Sequence, residues 1–261
     1  RSMDAVSPSA GIVVAASDAM ELFGSLGRSF ETPTTTELAN QPTGSGGFNP
    51  DLEPQVGVTL EAGARANVAQ RVAGELSVFR TTLEDGLVPF EVASDPGRTY
   101  YRNAARSKHT GFEASVDARL HPSLSLRVAY TRVNARYEAY ETDSEDFGGN
   151  RVPGLAPNRF DGVLTFDRGP GFIEVRGLWQ DDVPVDDAAS GASPSYFVAD
   201  ARLGLDGIAV GELRLAPFVG IANLLDETYN ASVVPNAFGS RYFEPAPPRN
   251  YRFGLGVTWG S

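Results

Sequence analysis

The chain has no cysteine, two histidines and one lysine (Lys108) among 261 residues. Without cysteine there is no disulfide framework and no thiolate metal site. The absence also suits a protein that crosses an oxidising compartment before it folds. No Gly-x-Ser-x-Gly elbow accompanies His109 and His121, and no further histidine stands at metal-ligand spacing, so both are assigned structural or surface roles. No catalytic residue, metal site or cofactor is expected. A net charge of −11 argues against nucleic acid as a partner, because a phosphate backbone requires clustered cations. No apolar run approaches the roughly 20 residues of a membrane helix. Barrel strands, however, cross a membrane with a far weaker hydropathy signal.

What is present is alternation. In the last strand Tyr251, Phe253, Leu255, Val257 and Trp259 fall on one face, and Arg252, Gly254, Gly256 and Thr258 on the other. Tyr251 and Trp259 lie about 26 Å apart at roughly 3.3 Å per residue. That matches an outer-membrane apolar band of about 25 Å with an aromatic girdle at each rim. Tyr251 and Trp259 are therefore expected to be girdle residues, with outer-membrane lipid as a partner.

The rhythm recurs. Strands are expected near 10–16, 21–30, 54–65, 71–83, 99–120, 124–138, 159–168, 171–181, 195–206, 212–224 and 249–259. Phe112, Ala114, Val116, Ala118 and Leu120 oppose Glu113, Ser115, Asp117 and Arg119, and full charges in mid-strand need a wet face. Short turns fall at 17–20, 66–70, 121–123, 169–171 and 206–211, and long loops rich in Gly, Pro and Asp at 31–53, 84–98, 139–158, 182–194 and 225–248. Short turns at one end and long loops at the other are the layout of an outer-membrane barrel. On this assignment Ser261 lies on the periplasmic side. The expected fold is all-β: an antiparallel transmembrane β-barrel segment of about 11 strands, running as one unit over 1–261. Eleven is half of 22, the strand number of plugged outer-membrane transporters. Arg1–Ser2–Met3 is not the start of a signal peptide, so a start further upstream is expected.

Several segments then resemble one family. Asn223–Leu224–Leu225–Asp226, followed by Tyr229, resembles the Asn-Leu-Phe-Asp-x-x-Tyr signature of TonB-dependent outer-membrane receptors. Arg241–Tyr242–Phe243 and Pro248–Arg249 are similar to that family's lead into the final strand. Phe30–Glu31–Thr32–Pro33 with Glu37–Leu38, Asn49–Pro50–Asp51–Leu52–Glu53–Pro54–Gln55 and Gly111–Phe112–Glu113 resemble further elements, in the family's order. Gln55 stands where glutamate is usual, and the chain ends Trp259–Gly260–Ser261 where the family ends on an aromatic. The resemblance implies the C-terminal half of a 22-stranded barrel, without the plug domain and its energy-coupling box. It implies active uptake of a scarce chelate (a ferric siderophore first, cobalamin or another metal complex second), energised by the TonB complex through that plug. The implied localisation is the Gram-negative outer membrane. The competing reading is a structural or adhesive barrel that transports nothing.

The resemblance also implies ligand-binding aromatics and arginines on loops and upper lumen. The candidates are Tyr100, Tyr101 and Arg102 beside loop 84–98, Arg151 in loop 139–158, and Arg241 with Tyr242. Arginine suits anionic chelates through paired hydrogen bonds. Glu113, Asp117, Arg119 and Arg127 are expected to form a charge network inside the lumen. The acidic stretch Glu138–Asp146, and Asp181–Asp182 with Asp186–Asp187, are expected to be solvated loop carboxylates. Asn223 and Asp226 suit turn chemistry where a strand ends.

Overall fold

The computed structural model of the chain describes residues 3–44, 47–142 and 145–259, and their side chains except those of residues 104 and 105. In chain order it forms β1 (Ser9–Ser17), β2 (Met20–Glu31), a capped helical turn α1 (Thr35–Ala39), β3 (Gln55–Val68), β4 (Val72–Val92), β5 (Asp95–His121), β6 (Leu124–Ala139), β7 (Asn158–Arg168) and β8 (Gly171–Gln180). Then come two short pieces, β9 (Val183–Pro184) and β10 (Ala192–Ser193), followed by β11 (Tyr196–Leu205), β12 (Ile208–Val210) and β13 (Leu213–Ala222). The chain finishes with β14 (Asn230–Val233), β15 (Phe243–Pro245) and β16 (Asn250–Trp259). All eleven long strands anticipated from alternation are present, with ends moved by a few residues except in β4, which runs nine residues further, to Val92.

The long strands pair antiparallel, each with the next, in the order β1 to β8, β11, β13, β16. β1 pairs only with β2 and β16 only with β13, so the sheet is open at two edges. β12 folds back on β13, β9 pairs with β10 and β14 with β15, so the short pieces decorate connections. Among the described residues no helix is long and apolar enough to cross a membrane.

Period two fixes what each face shows. Residues directly opposite in a ladder share a face, so the outward set can be followed from strand to strand. Val78 pairs with Phe112, Ala114 with Tyr130, Tyr130 with Phe160, Phe160 with Trp179, and Trp179 with Phe197. These side chains sit on a face left exposed: Val78, Phe160, Phe197, Phe253 and Trp259 all lie on it uncovered. The opposite face is concave and lines three hollows of about 730, 380 and 420 Å³ with charged residues, including Glu75, Asp117, Arg127, Glu174, Arg176 and Arg252. An apolar outside and a charged inside is the pattern of a wall with lipid on one side and water on the other. Burial follows the same logic. Among the described residues a cluster of buried hydrophobics, Val88, Tyr137, Tyr140 and Phe147 with Val152 against it, lies at the long-loop end.

The segment 84–98 differs from expectation. Its Asp, Gly and Pro content reads as loop, yet β4 and β5 continue through it as a paired ladder to a turn at residues 93–94. The ladder passes Asp85 (φ 56°) in unchanged register, Glu84 facing Arg106 and Gly86 facing Ala104, and shifts between Glu91 and Val92, next to the turn. Pro89 lacks an N–H, but β3 stops pairing at Glu84, so nothing on that side of β4 needs a donor there. β5 therefore runs 27 residues, on the order of 90 Å at 3.3 Å per residue. A tilted strand spans a bilayer in about 9–11 residues, so most of this hairpin projects beyond the apolar band.

Candidate functional site

At the long-loop end four segments converge: the β4–β5 hairpin, and loops 140–157, 181–195 and 223–249. The three loops meet the end of β6 at Asp187, 4 % exposed. The Tyr137 hydroxyl donates to Asp187 Oδ1 at 2.7 Å, Asn150 Nδ2 donates to its carbonyl at 2.8 Å, and its own N–H donates to Asn236 Oδ1 at 3.0 Å. Next to it Asp186 accepts from the Ser190 N–H at 2.8 Å, from the Ser190 hydroxyl, and from the Tyr242 hydroxyl at 3.1 Å. The expectation of solvated carboxylates at 186–187 is thereby corrected. Both are buried because neighbouring loops supply the donors a buried carboxylate requires. Asp181 accepts from Asn158 at 2.7 Å, which holds its carboxyl below the usual range. In the acidic stretch Asp143 and Ser144 lie outside the described residues; Glu141 bridges to Asp146 across them. No group of described residues gathers enough ligands for a metal ion.

Five of the six ligand candidates carry interactions that tie this end together. Tyr100 is buried, donates to Asp95 Oδ2 at 2.8 Å and packs on Phe90. The Arg102 guanidinium lies over the Phe90 ring at 4.9 Å and the Tyr140 ring at 5.4 Å, so it is sandwiched by aromatic faces that attract a cation. Arg151 binds Asp182 twice, Nη1 to Oδ2 at 2.7 Å and Nη2 to the carbonyl at 2.9 Å. Arg241 reaches Glu91 on the hairpin at 3.2 Å, and Tyr242 holds Asp186. Tyr101 pairs with Pro89 and turns to the other face of the hairpin, away from Tyr100 and Arg102.

Tyr137 and Tyr140 were not among the candidates. Their rings meet edge to face at 4.9 Å, and Phe147 packs on Tyr140 at 5.0 Å. Burial, then the Asp187 carboxylate, pushes the Tyr140 phenol up to about 12; the same two causes raise Tyr137 further. Three groups here lack partners. Tyr140 Oη and Arg102 Nε are both buried without a hydrogen bond, as is Asn236 Nδ2. Their only sequence signal was the alternation of β6 continuing past Arg132, which placed Tyr137 on a strand but gave it no neighbour.

The wall is organised by different residues. Asp117 and Arg127 pair across β5 and β6 at 2.6 Å, as expected of lumen charges. Glu113 and Arg119 join no ion pair among the described residues, which corrects the four-residue network: the register sets Glu113 opposite Thr131 and Arg119 opposite Ser125. Further pairs link Arg65 to Glu75 and Arg176 to Asp161. Trp259 carries its indole N–H to Glu212 Oε2 at 2.9 Å, and Tyr251 stands exposed near the other end of the same strand. The alternation in β16 did not show that Phe112, Tyr130, Phe160, Trp179 and Phe197 would line up across five adjacent strands, because that row exists only once the register is set. His109 contacts Ser107 Oγ at 3.2 Å, and His121 Nδ1 accepts from the Ser123 N–H in its turn.

An antiparallel wall with an aromatic-banded apolar face, a charged concave face and turns short at one end and long at the other defines an outer-membrane β-barrel segment. The chain belongs to the TonB-dependent receptor-like β-barrel family, whose model matches residues 1–224. Barrels of this family are outer-membrane proteins. Solved structures share the fold at low identity. The ferric-catecholate import receptor Fiu from E. coli K12 is 19 % identical with a TM-score of 0.68, over 95 % of this chain and 34 % of its own. The siderophore receptor PiuA from Acinetobacter baumannii is 18 % identical with a TM-score of 0.72, over 96 % of this chain and 35 % of its own. The copper transporter OprC is 16 % identical with a TM-score of 0.72, over 95 % of this chain and 37 % of its own. The chain thus spans about a third of the length of the structures it matches.

Proposed function

We propose that this chain is part of the wall and ligand-gathering end of a receptor that takes up a scarce metal chelate, a ferric siderophore first. The observation that carries the proposal is the convergence of four segments at one end of the wall around buried aromatics and arginine. The long-loop end would face outward, with the short turns and C-terminus at the periplasm. Energy would come from the TonB complex through a plug domain seated against the charged concave face. The likeness to a ferric-catecholate import receptor and a copper transporter supports a metal-complex cargo. In this reading the chain is a transporter part and not an enzyme, and Tyr100, Tyr101, Arg102, Arg151, Arg241 and Tyr242 form the pool from which ligand contacts are drawn. Arg102 is the strongest of them, with a cation held against two rings and one unpaired donor.

The test is uptake of iron-labelled chelates by iron-starved source cells with and without the gene. Loss of uptake of one chelate class, restored by the wild-type gene and reduced by Arg102→Ala, is the expected result. Unchanged uptake of every iron and copper chelate would overturn the transport reading and leave a structural or adhesive barrel.

A further inference from the structure

On the outward face, the apolar band gives way abruptly to cations as β4, β5 and β6 approach the long-loop end. Arg80 pairs with Thr110, which pairs with Asn134; Arg132 and Arg136 flank Asn134 on the same face of β6. At roughly 4.8 Å between strands and 3.3 Å per residue, the three arginine Cα atoms stand about 12–13 Å from one another, within reach of one headgroup. All three are exposed, and among the described residues none has an ion-pair partner. Arg132 Nη1 donates to Asn158 Oδ1 at 3.3 Å; Arg136 donates to Asn134 Oδ1 at 3.1 Å and to the Gly149 carbonyl at 2.7 Å. On β4, β5 and β6 the acids of this face are Glu84 and Glu138, and Glu138 is taken by Arg106 and Lys108; Arg151, bridged to Arg136, is held by Asp182. A hollow of about 350 Å³ opens here, lined by Arg132, Asn134, Arg136 and the Asp182-bound Arg151 with apolar Leu155 and Pro157. It adjoins the aromatic row, where Tyr130 shares Asn158 with Arg132.

A chain of net charge −11 that sets three unpaired arginines immediately beside its lipid-facing band has a cationic site at headgroup depth. We propose that Arg80, Arg132 and Arg136 bind a membrane lipid whose headgroup carries phosphate monoesters. Planar guanidinium groups grip phosphate oxygens in pairs, and three of them suit more than one phosphate charge. The acyl chains would continue down the apolar face, past Phe112 and Tyr130. This inference rests on the membrane-wall reading and is independent of the cargo.

The test uses the receptor as expressed in its membrane, purified in detergent and analysed by native mass spectrometry. Probes are a bisphosphorylated lipid, the same lipid enzymatically dephosphorylated, and inorganic phosphate. The bisphosphorylated lipid should be retained at least about tenfold better than its dephosphorylated form. The triple variant R80Q/R132Q/R136Q should lose that preference, and R80K/R132K/R136K should recover part of it, with chelate binding unchanged in the same preparations. Equal retention of the two lipids by the wild-type protein would overturn the proposal without any variant having to fold. So would free phosphate binding as tightly as the lipid, which would indicate an anion site only. Lost lipid preference with chelate binding intact in the wild type would fail this inference alone.

Discussion

Gly111 shows how tightly the wall fixes single residues. A Cβ built there would meet the Arg132 carbonyl oxygen at 2.0 Å and the Phe79 ring at 2.8 Å, both on neighbouring strands. The first of these is backbone, so it cannot move aside without parting β5 from β6. Gly111→Ala should therefore cost several kcal/mol, on the order of the larger single-site effects, and should sharply reduce the heat-modifiable barrel band in outer membranes. Asn223 is the counterpart in a turn. It adopts φ 54°, donates to the Glu227 carbonyl and accepts from the Glu227 N–H, both at 2.8 Å. Asn223→Ala would lose both bonds and keep the left-handed strain, at a cost of about 2–3 kcal/mol. Hydrogen exchange across 223–229 would register it as faster opening. The turn role of Asn223 and Asp226 was legible from residue type, because both side chains mimic backbone partners. Titration tests the buried phenols. The Tyr140 pKa is raised above its unfolded value, so its contribution to loop packing is complete below about pH 10 and is lost as pH rises through about 12. A tyrosinate absorbance titration should contain a late phenol near pH 12 that disappears in Tyr140→Phe.

Among elements, the β4–β5 hairpin separates what alternation reveals from what it hides. Residues 99–120 read as strand because their faces alternate, whereas 84–98 read as loop because Asp85, Gly86, Pro89, Pro96 and Gly97 are turn formers. A free edge at Pro89, beyond the end of β3, lets the ladder continue, and it is not visible from residue types alone. The loops are the same problem at longer range. Tyr137 meets Asp187 across 50 residues and Glu91 meets Arg241 across 150, separations over which residue patterning carries no information. Not every such tie holds much energy. Arg241 is 61 % exposed in its bond to Glu91, so Arg241→Ala should cost no more than about 1 kcal/mol. Tyr137→Phe, which strands the buried Asp187 carboxylate, should cost about 1–3 kcal/mol. Exchange protection in loop 140–157 should rank the two variants in that order.

The whole molecule is a sheet whose stability cannot come from a central core, since its hydrophobic residues face outward over most of the wall. That arrangement is stable only if lipid covers one face and water or protein the other. The chain contains no cysteine, so any introduced one is unique. Single cysteines placed at each position from 112 to 120, spin-labelled in reconstituted membranes, would read the face of each side chain through collision with oxygen and with a water-soluble relaxant. Labels at 112, 114, 116, 118 and 120 should favour oxygen, and those at 113, 115, 117 and 119 the aqueous reagent, in strict alternation. Uniform access of the aqueous reagent to all nine positions would contradict the membrane wall, and with it the receptor built on it.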